Sequence, residues 1–284
     1  MELTEYIGPD TEQWWWRDLF EDLLEYAGDR WTEEAILPWI DRHKETVREL
    51  SEIGRPEGRH ARIRSHPGKY TPLQALYALG RILDVLIAPF QPVNDDPALL
   101  DWGTGRPWWT GRLPDRSALP ALAAAGGWTR IGEDAFCPFF HEIVTVEPAE
   151  DPDAGPELVT EVWPGFMAGS MMLVRAGVVV RAGANVMDPR VASRSRMFWA
   201  WWRRNRVPTD QSHGWGHNSQ WRTDFRRDYL ADGQLHYNVD GPEHLQDGDL
   251  PEAAARELVR FRCNLLHDLG DAWPYGHRLS EPYR

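Results

Sequence analysis

Between residues 208 and 229 the chain reads PTDQSHGWGHNSQWRTDFRRDY, with two histidines four apart, two glycines and almost no aliphatic side chain. These residue types suit acid–base and anion-binding chemistry. His213 and His217 carry imidazoles, which titrate near neutral pH. Asn218 and Gln220 can both donate and accept hydrogen bonds. Arg222 and Arg226 present planar guanidinium forks that match carboxylate or phosphate. If 217–227 is extended, alternation puts Asn218, Gln220, Arg222, Asp224 and Arg226 on one face, and His217, Ser219, Trp221, Thr223 and Phe225 on the other. The aromatic face belongs against a core. The polar face serves either a solvated, hydrogen-bonded scaffold or the wall of a ligand cleft.

A spacing of four would put His213 and His217 on one side of a helix, as in zinc proteases. The glutamate of that motif is missing, and Gly214 and Gly216 oppose a helix. In a glycine-bent loop the two imidazoles can still share a divalent ion, with His141, Glu142 or Asp210 as the third ligand by chemical type. The simpler reading is that they hydrogen-bond to backbone, with no metal. His141 and Glu142 lie in FFHEIV, an aromatic-rich run that reads as a strand. Neighbours on a strand point to opposite faces, so only one of them can join the site. Burying either costs several kcal/mol unless it is paired. One of them therefore faces water, or sits in a semi-apolar cleft with a shifted pKa suited to proton transfer. Arg222 or Arg226 could then pair with Glu142.

Other candidates are weaker. Cys137 and Cys263 are too few for a disulfide framework, are not spaced as a zinc knuckle, and read as buried thiols. The serines lack a nucleophile-elbow context. Asp95, Asp96 and Asp101 fit turn and cap roles better than a cation site. The tryptophans at 14–16 and 199–202 read as core. GTGRPWWTG matches neither the dinucleotide nor the phosphate-loop pattern.

The elements that must position these residues begin with helices. TEQWWWRDLFEDLLEYAG follows a capping arrangement at Asp10 and Gln13, and Trp15, Leu19, Leu23 and Tyr26 form one apolar stripe. A second helix follows Thr32, with Ile36, Trp39, Ile40 and Val47 inward and Pro38 in its first turns. A polar loop leads to TPLQALYALGRILDVLIAPF, capped by Thr71 and opened by Pro72. After an aromatic, Pro-rich connection, an Ala-rich helix over 115–125 closes at Gly126-Gly127. The character then changes. FCPFFHEIVTVEP reads as a strand, SMMLVRAGVVVRAGANVM as a hairpin about Ala176-Gly177, and PRVASRSRMFWAWWRRNR as a helix capped by Asp188. HNSQWRTDFRRDYLADGQLHYNVD reads as a hairpin about Asp232-Gly233, and PEAAARELVRFRCNLLHDLG as a last helix before an irregular tail. This predicts an α+β fold: a helical N-terminal region (1–125) packed on a mixed, mainly antiparallel sheet with additional helices (126–284), the two forming one compact unit.

At 284 residues, 42% hydrophobic and 12% aromatic, the chain can bury a substantial core. An acidic N-terminus and no long apolar run exclude a signal peptide and a membrane span, predicting a soluble cytoplasmic protein of bacterial type. The net charge of −13 disfavours nucleic acid and anionic membranes as partners. Charge is unevenly spread: residues 1–60 hold 16 acids against 7 bases, whereas 190–229 hold 9 arginines against 3 aspartates. The leading expectation is an enzyme of hydrolase or lyase type acting on a small polar, anionic metabolite. In it His213 or His217 transfers the proton, Glu142 is the carboxylate, Arg222 and Arg226 hold the anion, and Asn218 and Gln220 orient it. A metal-assisted form adds one divalent ion on His213, His217 and His141 or Glu142. The rival is a non-catalytic acidic protein, such as an immunity or inhibitor protein, whose N-terminal charge neutralises a basic partner.

Overall fold

A computed structural model describes residues 15–45, 47, 72–91, 112–190, 227–239, 241, 243–247, 250–261 and 277–283. Among them the fold is α+β. Helix α1 (Trp15–Glu25) buries Leu19 and Leu23 and exposes Asp18, Asp22 and Glu25, as its amphipathic spacing requires. A π-helical turn over Thr32–Ile36 runs into α2 (Leu37–Arg42). The wide turn sits where Pro38 offers no N–H to the preceding carbonyls. Ile36, Trp39, Ile40 and Val47 all point inward, as the sequence pattern predicts. Asp115 fastens this corner by accepting from the Thr32 hydroxyl at 2.8 Å and the Thr32 amide at 3.3 Å. Helix α3 (Pro72–Ile87) is apolar, and its last two turns, Ile82 to Ile87, are buried on every side. Helix α4 (Ala118–Ala125) ends at Gly126-Gly127, with Gly127 at φ +63°, where a side chain would be strained.

Ten strands follow among the described residues: β1 (Thr129–Arg130), β2 (His141–Pro148), β3 (Glu157–Trp163), β4 (Phe166–Ala168), β5 (Met171–Val174), β6 (Ala176–Ala182), β7 (Tyr229–Ala231), β8 (Gln234–Tyr237), β9 (Glu243–His244) and β10 (His277–Pro282). They form a larger sheet ordered β1-β4-β5-β7-β8-β10-β9 and a smaller one ordered β2-β6-β3. Pairing is antiparallel except for β10 with β9 and β2 with β6. Helix α5 (Glu252–Phe261) precedes β10.

Alternation along the strands sorts the core. Phe166, Ala168, Met171, Val174 and Tyr229 pack with the N-terminal helices. Met167, Met172, Leu235, Tyr237 and Leu279 pack on the other face, with Phe139, Phe140 and Ala255 and Val259 of α5. The larger sheet is thus sandwiched between helical layers. The smaller sheet contributes Val144 and Trp163 to the N-terminal helical core, and Ile143, Val146, Val178 and Val180 to a third cluster with Phe261.

The hairpin about Asp232-Gly233 forms as the sequence implies, with both turn residues in the left-handed region at φ +52° and +68°. Three local expectations are corrected. Ala176-Gly177 is no turn: β5 and β6 belong to different sheets, and Arg175 carries the chain between them. The final segment includes a strand, β10, which pairs with β8 over four positions. Strands β3 and β4 fill a stretch for which no element was expected. The predicted helix from Pro189, the cap at Thr71, the connection over 92–111 and Cys263 lie outside the described residues.

Candidate functional site

Of the predicted site residues, His141 and Glu142 are described. His213, His217, Asn218, Gln220, Arg222 and Arg226 lie outside the described residues, as does Asp210. His141 and Glu142 open β2, and both are buried, at 4% and 7% exposure. They take opposite faces, as strand geometry demands. His141 shares its face with Ile143 of the third cluster, and Glu142 shares its face with Val144 of the helical core.

The geometry at His141 fixes its chemistry. Its Nδ1 accepts the Cys137 amide at 3.0 Å, and its ring stacks on Phe136 at 5.9 Å. An accepting Nδ1 belongs to the neutral imidazole protonated at Nε2. Burial, helped by the nearby Arg175 charge and opposed by the pull of Glu133, brings the pKa down to about 4. His141 is therefore neutral at pH 7, and with Nδ1 taking the Cys137 amide and Nε2 carrying the proton, neither ring nitrogen offers a metal a lone pair in this arrangement. Cys137 is a free, half-buried cysteine whose thiol burial pushes up. With its thiol protonated and its own amide occupying His141 Nδ1, it does not make a Cys–His nucleophilic pair. No three His, Cys, Asp or Glu among the described residues are grouped to hold a metal ion.

A second constellation lies where the two sheets meet. Arg175, between β5 and β6, and Asp228, just before β7, form a salt bridge at 2.9 Å with side chains 1% and 2% exposed. Arg175 also donates to the carbonyl of Arg260 on α5 at 3.0 Å. The other Asp228 oxygen accepts the Asn238 amide at 2.7 Å. Asn238 takes φ +49° and donates its side-chain amide to the His277 carbonyl at 2.6 Å. Arg227 is buried and donates to the Tyr229 hydroxyl at 3.2 Å. Trp163 Nε1 donates to the Arg175 carbonyl at 2.9 Å, so the indole clamps the crossing point.

Arg175 therefore connects the two constellations: its charge reaches His141, and Ala176, the next residue, is the strand partner of His141. Five polar residues of this junction, Arg175, Arg227, Asp228, Asn238 and His277, were not singled out by sequence reasoning. Arg227 and Asp228 sit inside the polar stretch that drew attention. Arg175 and Asp228 are 53 residues apart, so no local spacing could have paired them. No helix among the described residues is long and apolar enough to cross a membrane. No family model, curated protein or solved structure matches this chain.

Proposed function

We propose that the protein is a cytoplasmic enzyme of hydrolase or lyase type, acting on a small polar, anionic metabolite at the junction of the two sheets. The observation that carries this reading is the concentration of buried charge there. Arg175, Arg227, Asp228 and Glu142 are each under a tenth exposed, and residues 208–226 run directly into Arg227 and Asp228. Burying charge is expensive, and a fold that gathers several buried charges in one place has a use for them there.

In this reading His213 or His217 transfers the proton, and His141, held neutral, does not. Glu142 is the partnering carboxylate or the base. Arg222 and Arg226 hold the anionic group, while Asn218 and Gln220 orient it. The metal-assisted form places one divalent ion on His213 and His217, with Glu142 completing the set, or His141 once its Cys137 contact is broken and its proton has moved to Nδ1. It calls for about one bound transition metal per chain by elemental analysis, and a fully active metal-free preparation removes it. The reading as a whole is tested by incubating the protein with phosphorylated and carboxylated metabolites and following them by NMR. It requires that one be converted by the wild type and not by E142Q. Binding without conversion across the panel counts against it.

The exposed face of the N-terminal helices favours a second reading. Asp18, Asp22, Glu25, Asp29, Glu33, Glu34, Asp41 and Glu45 are all exposed there, against Arg30, Arg42 and Lys44. Such a face suits a non-catalytic protein that neutralises a basic partner. Salt-sensitive binding to a basic protein, abolished by D22K/E25K/E33K and untouched by E142Q, distinguishes it from the enzyme.

A further inference from the structure

We propose that the β8-β10-β9 end of the larger sheet carries a phosphate-binding site, built by Arg278 and Ser280 of β10, His236 of β8 and His244 of β9. Strand register brings the four together. His236 pairs with Ser280 across β8 and β10, and Arg278 pairs with His244 across β10 and β9. Arg278 and Ser280 are two residues apart on one strand, so they share a face. It is the face opposite Tyr237 and Leu279, which fill the second core cluster. Ser280 and His244 are exposed there, and Arg278 and His236 are half-buried.

The side chains stand in two couples. His236 Nδ1 and Ser280 Oγ share a hydrogen bond at 2.9 Å. With the imidazole donating, the Ser280 hydroxyl proton can turn to a ligand. Arg278 donates one Nη to His244 Nε2 and the other to the Gly241 carbonyl at 3.4 Å. His244, accepting at Nε2, keeps its proton on Nδ1. Same-face neighbours on a strand stand about 7 Å apart. Hydrogen bonds of about 2.8 Å on either side of one anion span that gap. A guanidinium, a hydroxyl and imidazoles reach it from several directions. A carboxylate offers two oxygens in one plane, whereas a phosphate group offers three or four arranged tetrahedrally, and this favours phosphate.

The charge around the site agrees. Tyr229 is the partner of His236 on its other side, and buried Arg227 donates to the Tyr229 hydroxyl at 3.2 Å. A second guanidinium therefore lies on the same face. Carboxylates of the neighbouring chain are engaged elsewhere. Asp228 binds Arg175, and Glu281 on the opposite face accepts the Tyr237 hydroxyl and Arg260. Asp247 accepts the His244 amide at 3.1 Å.

The test follows the imidazole resonances of His236 and His244 by NMR, assigned through H236Q and H244Q, as inorganic phosphate is added at constant ionic strength. Wild type should show saturable shifts of both rings. S280A and R278M should each raise Kd about tenfold. If R278M does not fold, R278K, which keeps the charge and loses the fork, should weaken binding in its place. Phenyl phosphate separates two sources of the group: tighter binding than inorganic phosphate assigns the site to phosphomonoesters, weaker binding to the free ion. Shifts that chloride reproduces, or that acetate matches, overturn the proposal, as does S280A binding equal to wild type. The readout is binding rather than turnover, so this site and the catalytic reading can fail separately.

Discussion

Arg175 and Asp228 meet at 2.9 Å across the seam between the two sheets, with almost no solvent on either side chain. Each depends on the other, because a buried charge deprived of its partner is strongly destabilising. R175A or D228A alone should lower unfolding free energy by about 3–5 kcal/mol. The double variant R175M/D228L should lose less than the sum of the single losses. It should still be less stable than wild type, because the Asn238 amide loses its acceptor at a cost of about 1–3 kcal/mol. Urea unfolding of the four proteins checks this, and strict additivity would show the pair uncoupled.

Stability should fall in mild acid through His141. Its folded pKa, about 4, lies below the ordinary histidine value. Between the two, the unfolded chain binds the proton and the native state does not. The contribution is thus complete above about pH 6.5 and is lost as pH drops towards 4, at up to about 1.4 kcal/mol per unit. Urea midpoints measured over that window should decline more steeply for wild type than for H141N. Parallel curves would assign the acid sensitivity elsewhere.

Gly177 lies opposite Trp163 across the β3–β6 pair, and a Cβ there would run into the indole ring. G177A should cost about 1–3 kcal/mol through overpacking. W163F removes the bond from Nε1 to the Arg175 carbonyl and should cost about 1 kcal/mol beyond its lost volume. In the G177A background, W163F should be less damaging than in wild type, since the smaller ring relieves the clash. Thermal melts of the four proteins decide.

These positions show what the sequence could and could not convey. Helix α5 and the Asp232-Gly233 hairpin were legible because their signals are local: 3.6-residue periodicity, and a turn pair that tolerates positive φ. The same logic failed at Ala176-Gly177. Residues 171–182 form an apolar run interrupted at the crossing by Arg175, and a small pair within it resembles a turn. Gly177 is small because Trp163 lies over it, a fact held 14 residues away. Strand β10 was read as irregular because HRLSEP carries little apolar alternation, and its order comes from pairing with β8. That His141 and Glu142 are both buried was not legible, since their aromatic company left one of them open to water. Nor was the Arg175–Asp228 seam, since long-range ion pairs leave no mark on spacing.

Within residues 208–226, H217A and R222A should each abolish turnover of the metabolite with little change in melting temperature. Their roles in the proposal are chemical, whereas packing in the described core rests on other residues. A large loss of folded protein, with function surviving in proportion, would make these side chains scaffold.

In the proposed reading either His213 or His217 faces Glu142 at the seam, and the pKa values of both histidines by NMR in wild type and E142Q test this most directly. A carboxylate within a few ångströms favours the imidazolium, so one of the two values should drop by about one unit when Glu142 becomes neutral. Both values unchanged in E142Q, with the variant folded, would contradict the pairing and the catalytic reading built on it.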